Sequence, residues 1–286
     1  MIGHLLLERL SRRVLPRIPE AAPIMEAPDQ VAAFMQCGRD EGILTHVYFF
    51  HAVMSLPVIR PGDTVLDLAC GPANQLLHIA RLHPETHFIG LDASPNMLSV
   101  ARSTLAKSCI ENVALQAGDI THLAEIATAS IDCVLCTMSL HHLPDTAALH
   151  TAMREIRRVL KPDGGIYLAD FGRLKRIATK KFFAFDRMEL QSDQFTEDFL
   201  NSMRAAFSVA ELKAAAIELG MSMQIRHTAL APFMMISRSA ARRTIDAQLA
   251  AQIKLHYESL TKRQRGDFDN IARWFQLGGL SLPFDI

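Results

Sequence analysis

Between Val65 and Ser237, short runs of β-branched and apolar residues alternate with longer stretches of helical period, and this alternation restricts the fold more than any other feature. Parallel neighbouring strands need a crossover about as long as a helix, so a chain patterned this way builds a sheet wrapped by helices. The spacing predicts strands over Thr64–Ala69, His87–Leu91, Val113–Gln116, Ile131–Cys136 and Ile166–Ala169. Helices are expected over Ala73–Leu82, Pro95–Lys107 and Thr146–Leu160, with Pro95 suited to a first helical position and Pro162, Gly164 and Gly165 as stops. Phe171–Phe207 breaks the rhythm and reads as an inserted, partly helical lid over the sheet. Ser208 then caps a helix over Val209–Leu219 that Gly220 ends, and Ser222–Thr228 and Phe233–Ser237 are close enough to pair as an antiparallel hairpin. The expected fold class is α/β: a doubly wound, seven-stranded, mostly parallel sheet with an antiparallel last strand and added terminal helices.

With 49% hydrophobic residues in 286, the chain can bury one substantial core with a small accessory layer. We expect a helical extension over residues 1–60, a core over 61–238 containing the lid at 171–207, and a second helical extension over 239–286. The first extension holds a connector with Pro16, Pro19, Pro23 and Pro28, then an aromatic stretch through Tyr48, Phe49 and Phe50. The second could pair two subunits as a homodimer or cover one pocket, and Arg242, Arg243, Trp274 and Phe275 would serve either arrangement. Thirty basic residues balance thirty acidic ones, so no net field gathers phosphates, and duplex nucleic acid or an anionic membrane surface is not the expected partner. Five scattered cysteines and no secretory start point to a reducing cytoplasm. The most apolar stretch, Val47 to Ile59, is far short of the roughly 20 residues of a membrane helix.

The chemistry gathers where strands end. Val65-Leu66-Asp67-Leu68-Ala69-Cys70-Gly71-Pro72-Ala73 closes a strand in a small-residue turn that opens a helix, so backbone can approach a ligand closely. Asp92 stands 21 residues after Gly71 at the end of the second strand, where an acid accepts both hydroxyls of a ribose. Either feature alone has a plain structural explanation; Asp92, for instance, could cap the helix that begins at Ser94-Pro95. Together they indicate an adenosine. A dinucleotide is disfavoured, because its pyrophosphate wants three glycines and this turn has one. Asp67, just before the turn, suits a ligand end that carries an ammonium and would repel a pyrophosphate.

Five ordered motifs carry a family resemblance: Val65–Ala73, Gly90-Leu91-Asp92-Ala93-Ser94, Gly118-Asp119-Ile120, Ser139-Leu140-His141-His142-Leu143 and Leu160-Lys161-Pro162-Asp163-Gly164-Gly165. The stretch from about 60 to 237 resembles the class I S-adenosylmethionine-dependent methyltransferases, which have a Rossmann-like fold. Within them it is most similar to the small-molecule branch that includes the ubiquinone and menaquinone C-methyltransferases. The resemblance implies S-adenosyl-L-methionine as cofactor, a small-molecule acceptor, and roles for particular residues. Ala69, Cys70 and Gly71 would line the methionine end, and Asp92 would hold the ribose. Asp119 would accept the adenine amino group beside the Ile120 amide, Ala93 and Met97 would cover the adenine face, and Thr137 and Leu140 would border the sulfonium and acceptor. Ala69 and Ala73 depart from the family pattern, where glycine is frequent.

His141 and His142 stand where a base could take a proton from the acceptor, or where two rings could hold loop backbone and shape the pocket floor. Displacement at a sulfonium needs alignment above all, so both roles stay open. Phe182, Phe183 and Phe185 in the insertion, with Tyr48 opposite, are candidate walls around an apolar or aromatic acceptor. RNA or protein targets, and a non-catalytic protein that only binds the cofactor or its product, are the alternatives. The run Arg173, Lys175, Arg176, Lys180, Lys181 reads as a solvated helix face. Cys133 and Cys136 face opposite sides of a strand, and His78, His83 and His87 lack partners and suit surface or capping roles, so no metal is expected.

Overall fold

Strands covered on both faces read as continuous apolar runs, and this sheet is built of them. The structure, a computed structural model, describes residues 2–22, 24–38 and 42–284; the connector residue Pro23 lies outside the described residues. In chain order the elements are α1 (Ile2–Leu10), α2 (Pro28–Cys37), α3 (Thr45–Ser55), β1 (Thr64–Leu68), α4 (Asn74–Leu82), β2 (His87–Asp92), α5 (Pro95–Lys107) and β3 (Val113–Ala117). They continue with β4 (Ile131–Thr137), α6 (Thr146–Val159), β5 (Leu160–Phe171), α7 (Ile177–Phe185), α8 (Asp193–Ala205), α9 (Val209–Ala216), β6 (Gln224–His227), β7 (Met234–Arg238), α10 (Ala247–Ser259) and α11 (Lys262–Leu277). The seven strands lie in the order β3-β2-β1-β4-β5-β7-β6, and β7 alone runs antiparallel to its neighbours. The winding reverses between β1 and β4, which leaves a crevice outside their carboxyl ends.

The two-residue period of the strands sorts the core into two halves. Val65, Cys133, Leu135, Tyr167 and Ala169 face one side, which α3, α4 and α11 help to fill. Leu66, Leu68, Val134, Cys136 and Leu168 face the other, against α6 and α9. Cys133 and Cys136 therefore lie on opposite faces, both buried. Caps fall where the sequence puts them: the Ser94 hydroxyl accepts from the Met97 amide before Pro95, and Ser208 forms a reciprocal box with Glu211. The fifth strand begins earlier than expected, because Leu160 already pairs with Ile131 before a register shift that resumes pairing at Gly165.

The terminal segments are packed into the core. α3 is buried almost throughout, and its Phe50 stacks on Phe275 of α11 at 5.3 Å between ring centres. Arg242 reaches back to Asp63 at 2.6 Å in a buried ion pair, so Arg242 and Phe275 serve their own chain. Two expectations need correction. The basic run is only in part a solvated face: Lys181 is exposed, but Arg173 pairs with Glu211 at 2.5 Å, Lys175 Nζ donates to the Ser11 carbonyl at 2.9 Å, and burial pushes the Lys180 ammonium down to about 8. His78 is buried under the terminal helices and not on the surface, because residues 239–286 cover the helix that carries it, whereas His83, also buried, takes the expected capping place at that helix's end.

Buried rings charge at a cost. Burial holds His51 and His78 down to about 3 and His83 to about 4, against 6.5 in an open chain. Their stabilising contribution is whole above that open-chain value and is lost as pH falls through it toward the folded values. We expect His83→Leu to flatten the decline in urea midpoint between about pH 7 and 5; an unaltered slope would show that the ring is already solvated.

Candidate active site

Three residues at the carboxyl end of β1 take left-handed backbone: Ala69 (φ 53°), Gly71 (φ 55°) and Ala73 (φ 61°). Glycine does this freely, whereas each alanine accepts about 1 kcal/mol of strain. The departures from the family pattern thus keep the turn's shape at the expense of strain. Hydrogen bonds hold it: the Cys70 amide donates to the Leu91 carbonyl, and the Gly71 amide to Asp92 Oδ2 at 2.7 Å. Asp92 Oδ1 accepts from the Ser94 amide at 2.8 Å, so one carboxylate ties the first turn to the start of α5. No protein atom lies within 4 Å of the place a Cβ on Gly71 would occupy. The turn opens into a cavity of about 900 Å³.

That cavity brings most of the expected residues together. Asp67, Ala69, Cys70 and Gly71 line its end at β1, Asp92, Ala93 and Met97 its side at β2, and Asp119 with Ile120 the side beyond β3. Asp119 is exposed, and its Oδ1 is engaged by the Thr121 amide and hydroxyl. Thr137, His141, His142 and Tyr48 line the remainder. Three do not belong. Leu140 packs beneath the sheet among Leu168, Met153 and other core residues. Phe182 stacks on His4 of α1 at 4.6 Å, and Phe185 is 44% exposed. Successive helical residues are turned by about 100°, so three phenylalanines at 182, 183 and 185 cannot share a wall; Phe183 is the one that does.

The electrostatics at the β1 end call for a cationic ligand. Burial raises the Asp67 carboxyl to about 8, with the Asp92 charge adding to the effect, and no described cation pairs with it. Burial raises Asp92 as well, against the two amide bonds that favour its ionised form. Tyr48 Oη and Asn74 Nδ2 are buried without a hydrogen-bond partner. An α-amino acid end with an ammonium for the acids and a carboxylate for those donors meets all of these needs. The residues present therefore fit S-adenosylmethionine.

At the other end, His141 Nδ1 meets Asp170 Oδ1 at 2.6 Å and the His141 amide donates to Asp170 Oδ2 at 2.8 Å. Burial opposes protonation of this ring, but Asp170 and then Glu20 outweigh it and raise its pKa. Glu20 is in ion-pair contact with His142 Nδ1 at 2.5 Å, lies 4.0 Å from His141 Nε2, and accepts from the Ser202 hydroxyl at 2.8 Å. Burial works against its charge, yet the histidines and Ser202 lower its pKa. Glu20, His141 and His142 offer one ligand atom each, all within 4.8 Å of one another, which are also the donor types of a metal site. Arg17 places Glu20 there by donating to the carbonyls of Ala205, Pro144, His141 and Leu143, with its guanidinium over Phe207 at 4.1 Å.

Sequence reasoning missed Glu20, Arg17 and Asp170. Asp170 had a signal, an acid at the carboxyl end of a buried strand. Glu20 and Arg17 had none, since they sit in an irregular connector and reach the site only through distant carbonyls.

Such a cradle at the switch point of a doubly wound sheet defines the class of S-adenosylmethionine-binding methyltransferase domains. Residues 59–220 match the family model described as "Methyltransferase domain", and the chain belongs to that family. It is 31% identical over 163 residues to an arsenite methyltransferase of Halobacterium salinarum, covering 57% of this chain and 38% of that one. It is 35% identical over 126 residues to a demethylmenaquinone methyltransferase of Listeria monocytogenes, covering 44% and 52%. The matches thus span about half, or less, of the curated relatives' length. In fold it is similar to an S-adenosylmethionine-dependent methyltransferase from Aquifex aeolicus (TM-score 0.55, 15% identity, 74% of this chain and 98% of that one). It is similar too to the plantazolicin methyltransferase BpumL, solved in complex with a monoazolic desmethylPZN analogue and SAH (TM-score 0.55, 14% identity, 75% and 91%).

Gly71→Ala should weaken S-adenosylmethionine binding at least about tenfold by calorimetry, at a stability cost of only about 1 kcal/mol, because the new methyl meets the ligand and no protein atom. Asp92→Ala should weaken it by roughly 10- to 150-fold; undiminished affinity in either variant would remove this turn from the cofactor site.

Proposed function

We propose that the protein transfers the methyl group of S-adenosylmethionine to a small, apolar or aromatic metabolite by in-line displacement. The observation that carries this reading is that one cavity runs from the Gly71 turn into a chamber walled by Phe171, Phe183, Phe195, Phe199, Phe233 and Trp274. Its volume is near the upper end of the roughly 300–1,000 Å³ usual for small-molecule sites, room for a donor and an acceptor together. Trp274 on this wall gives the second terminal extension the role of cover. Arg173 is spent on Glu211 and Lys180 is buried, so the expected basic run is not a continuous outward footprint for RNA, which favours the small acceptor over the RNA reading.

In this reading the cofactor supplies a methyl group on a sulfonium, a leaving group already activated. Asp92 accepts from the ribose hydroxyls, Asp67 faces the ammonium, Asp119 takes the adenine amino group, and Ala93 and Met97 cover the ring. The Ile120 amide lies against the same ring. Thr137 borders the reacting end. His141 is the base: its Nδ1–H donates to Asp170, which fixes the tautomer and leaves Nε2 free to receive the acceptor's proton as the new bond to carbon forms. His142 and Glu20 position that ring and close the floor. Tyr48 lies nearer the amino-acid end than an acceptor wall would, judged by its unpartnered hydroxyl beside Asn74.

The experiment is release of S-adenosylhomocysteine across a panel of phenols, quinols and aromatic amines. Against an accepted substrate, His141→Ala and Asp170→Asn should lower kcat by roughly 10²- to 10⁴-fold while S-adenosylmethionine affinity holds. An unchanged kcat would make the pair a structural floor, and activity confined to RNA or protein would overturn the acceptor class.

A further inference from the structure

The helices that roof the cavity turn an apolar surface outward. On α1, Leu5 is buried and lines the cavity, and Glu8 is buried against the Lys175 and Arg176 amides. The other large aliphatic residues of that helix face water: Ile2 is 60% exposed, Leu6 46%, Leu7 52% and Leu10 74%. α7 behaves alike, with Phe183 on the cavity and Ile177 and Phe185 exposed. The two helices are clasped by the His4–Phe182 stack, so their exposed residues form one face. Isolated exposed leucines need no explanation, but a short helix with most of its aliphatic residues in water does.

The charges on this face share one sign. Arg9, Arg12, Arg13 and Lys181 are exposed around it, and α7 carries no acid. Glu8 is the one acid between residues 2 and 19, and it is turned inward. The balance of charge over the whole chain conceals this local excess. An apolar stripe edged by arginines lies in the plane of a bilayer surface, with aliphatic side chains among the acyl chains and guanidinium groups at the phosphates. A second copy of the chain is a poorer occupant, because a twofold contact would bring the same arginines to face one another. We infer that the outer face of α1 and α7 docks on an anionic lipid bilayer. Docking would set the cavity roof against the membrane, on the side from which an apolar acceptor dissolved in lipid arrives. That last clause rests on the proposed acceptor class; the docking does not.

The test is co-sedimentation of the full chain with phosphatidylcholine vesicles, with and without about 30% phosphatidylserine, at low and high salt. The expected result is pelleting with the anionic vesicles that high salt reverses. Combined Leu6→Gln, Leu7→Gln and Leu10→Gln should reduce it at least about tenfold, as should Arg9→Gln, Arg12→Gln and Arg13→Gln together, each without change in melting temperature or in S-adenosylmethionine affinity. No pelleting with anionic vesicles, or pelleting that survives the leucine variant, overturns the inference. So does a chain that is dimeric by sedimentation velocity and turned monomeric by the leucine variant without ever binding vesicles, which would assign the face to a second copy. Cofactor affinity, read in parallel, keeps this outcome separate from the fate of the methyltransferase reading.

Discussion

The carboxylate of Asp92 takes amide hydrogens from Gly71 and from Ser94 and so fastens two loops that leave neighbouring strands. Without it, the strained turn with Ala69 and Ala73 in left-handed backbone would have little to hold it open. The same carboxylate lies in a common cavity with Asp67, in surroundings where burial disfavours both charges. Fold and site chemistry meet at this point: the hydrogen bonds that shape the turn engage Asp92, while Asp67 is buried with no described cation beside it. A zwitterionic amino acid attached to a nucleoside answers that arrangement, and a pyrophosphate does not.

The acceptor end has the opposite construction. Asp170 meets His141, and His142 and Ser202 meet Glu20, while the walls beyond them mix aromatic residues with polar ones such as Asp186, Arg187 and Asp198. The chamber is closed by segments from outside the sheet. Arg17 straps the first extension onto the loop after β4, and Trp274 of α11 completes the wall.

Local rules explain what was legible in the sequence. Thr64–Leu68 and Ile131–Thr137 are strands because both faces are covered, and Ser94, Ser208 and Gly220 mark helix ends by their own hydrogen bonding or backbone. The meeting of Gly71 with Asp92 was readable for the same reason, since a lone glycine and an acid at fixed spacing lie in consecutive elements. Leu140, Phe182 and Phe185 were misplaced because sequence nearness does not say which way a side chain turns in a short helix or at a strand end. The burial of His78 was not legible because the helices that cover it come more than 150 residues later.

Sequence by itself determined the sheet, its winding and the lone-glycine turn after β1, because strand period, turn chemistry and capping act over a few residues. Only the tertiary structure decided the acceptor chamber: Glu20, Asp170 and Trp274 come from three distant parts of the chain. Hydrogen bonds to backbone carbonyls and ring packing bring them together, and such contacts leave no periodic trace in a sequence. The exposed leucines of α1 belong to the same category, since an amphipathic pattern says that a face is apolar but not whether the folded chain covers it.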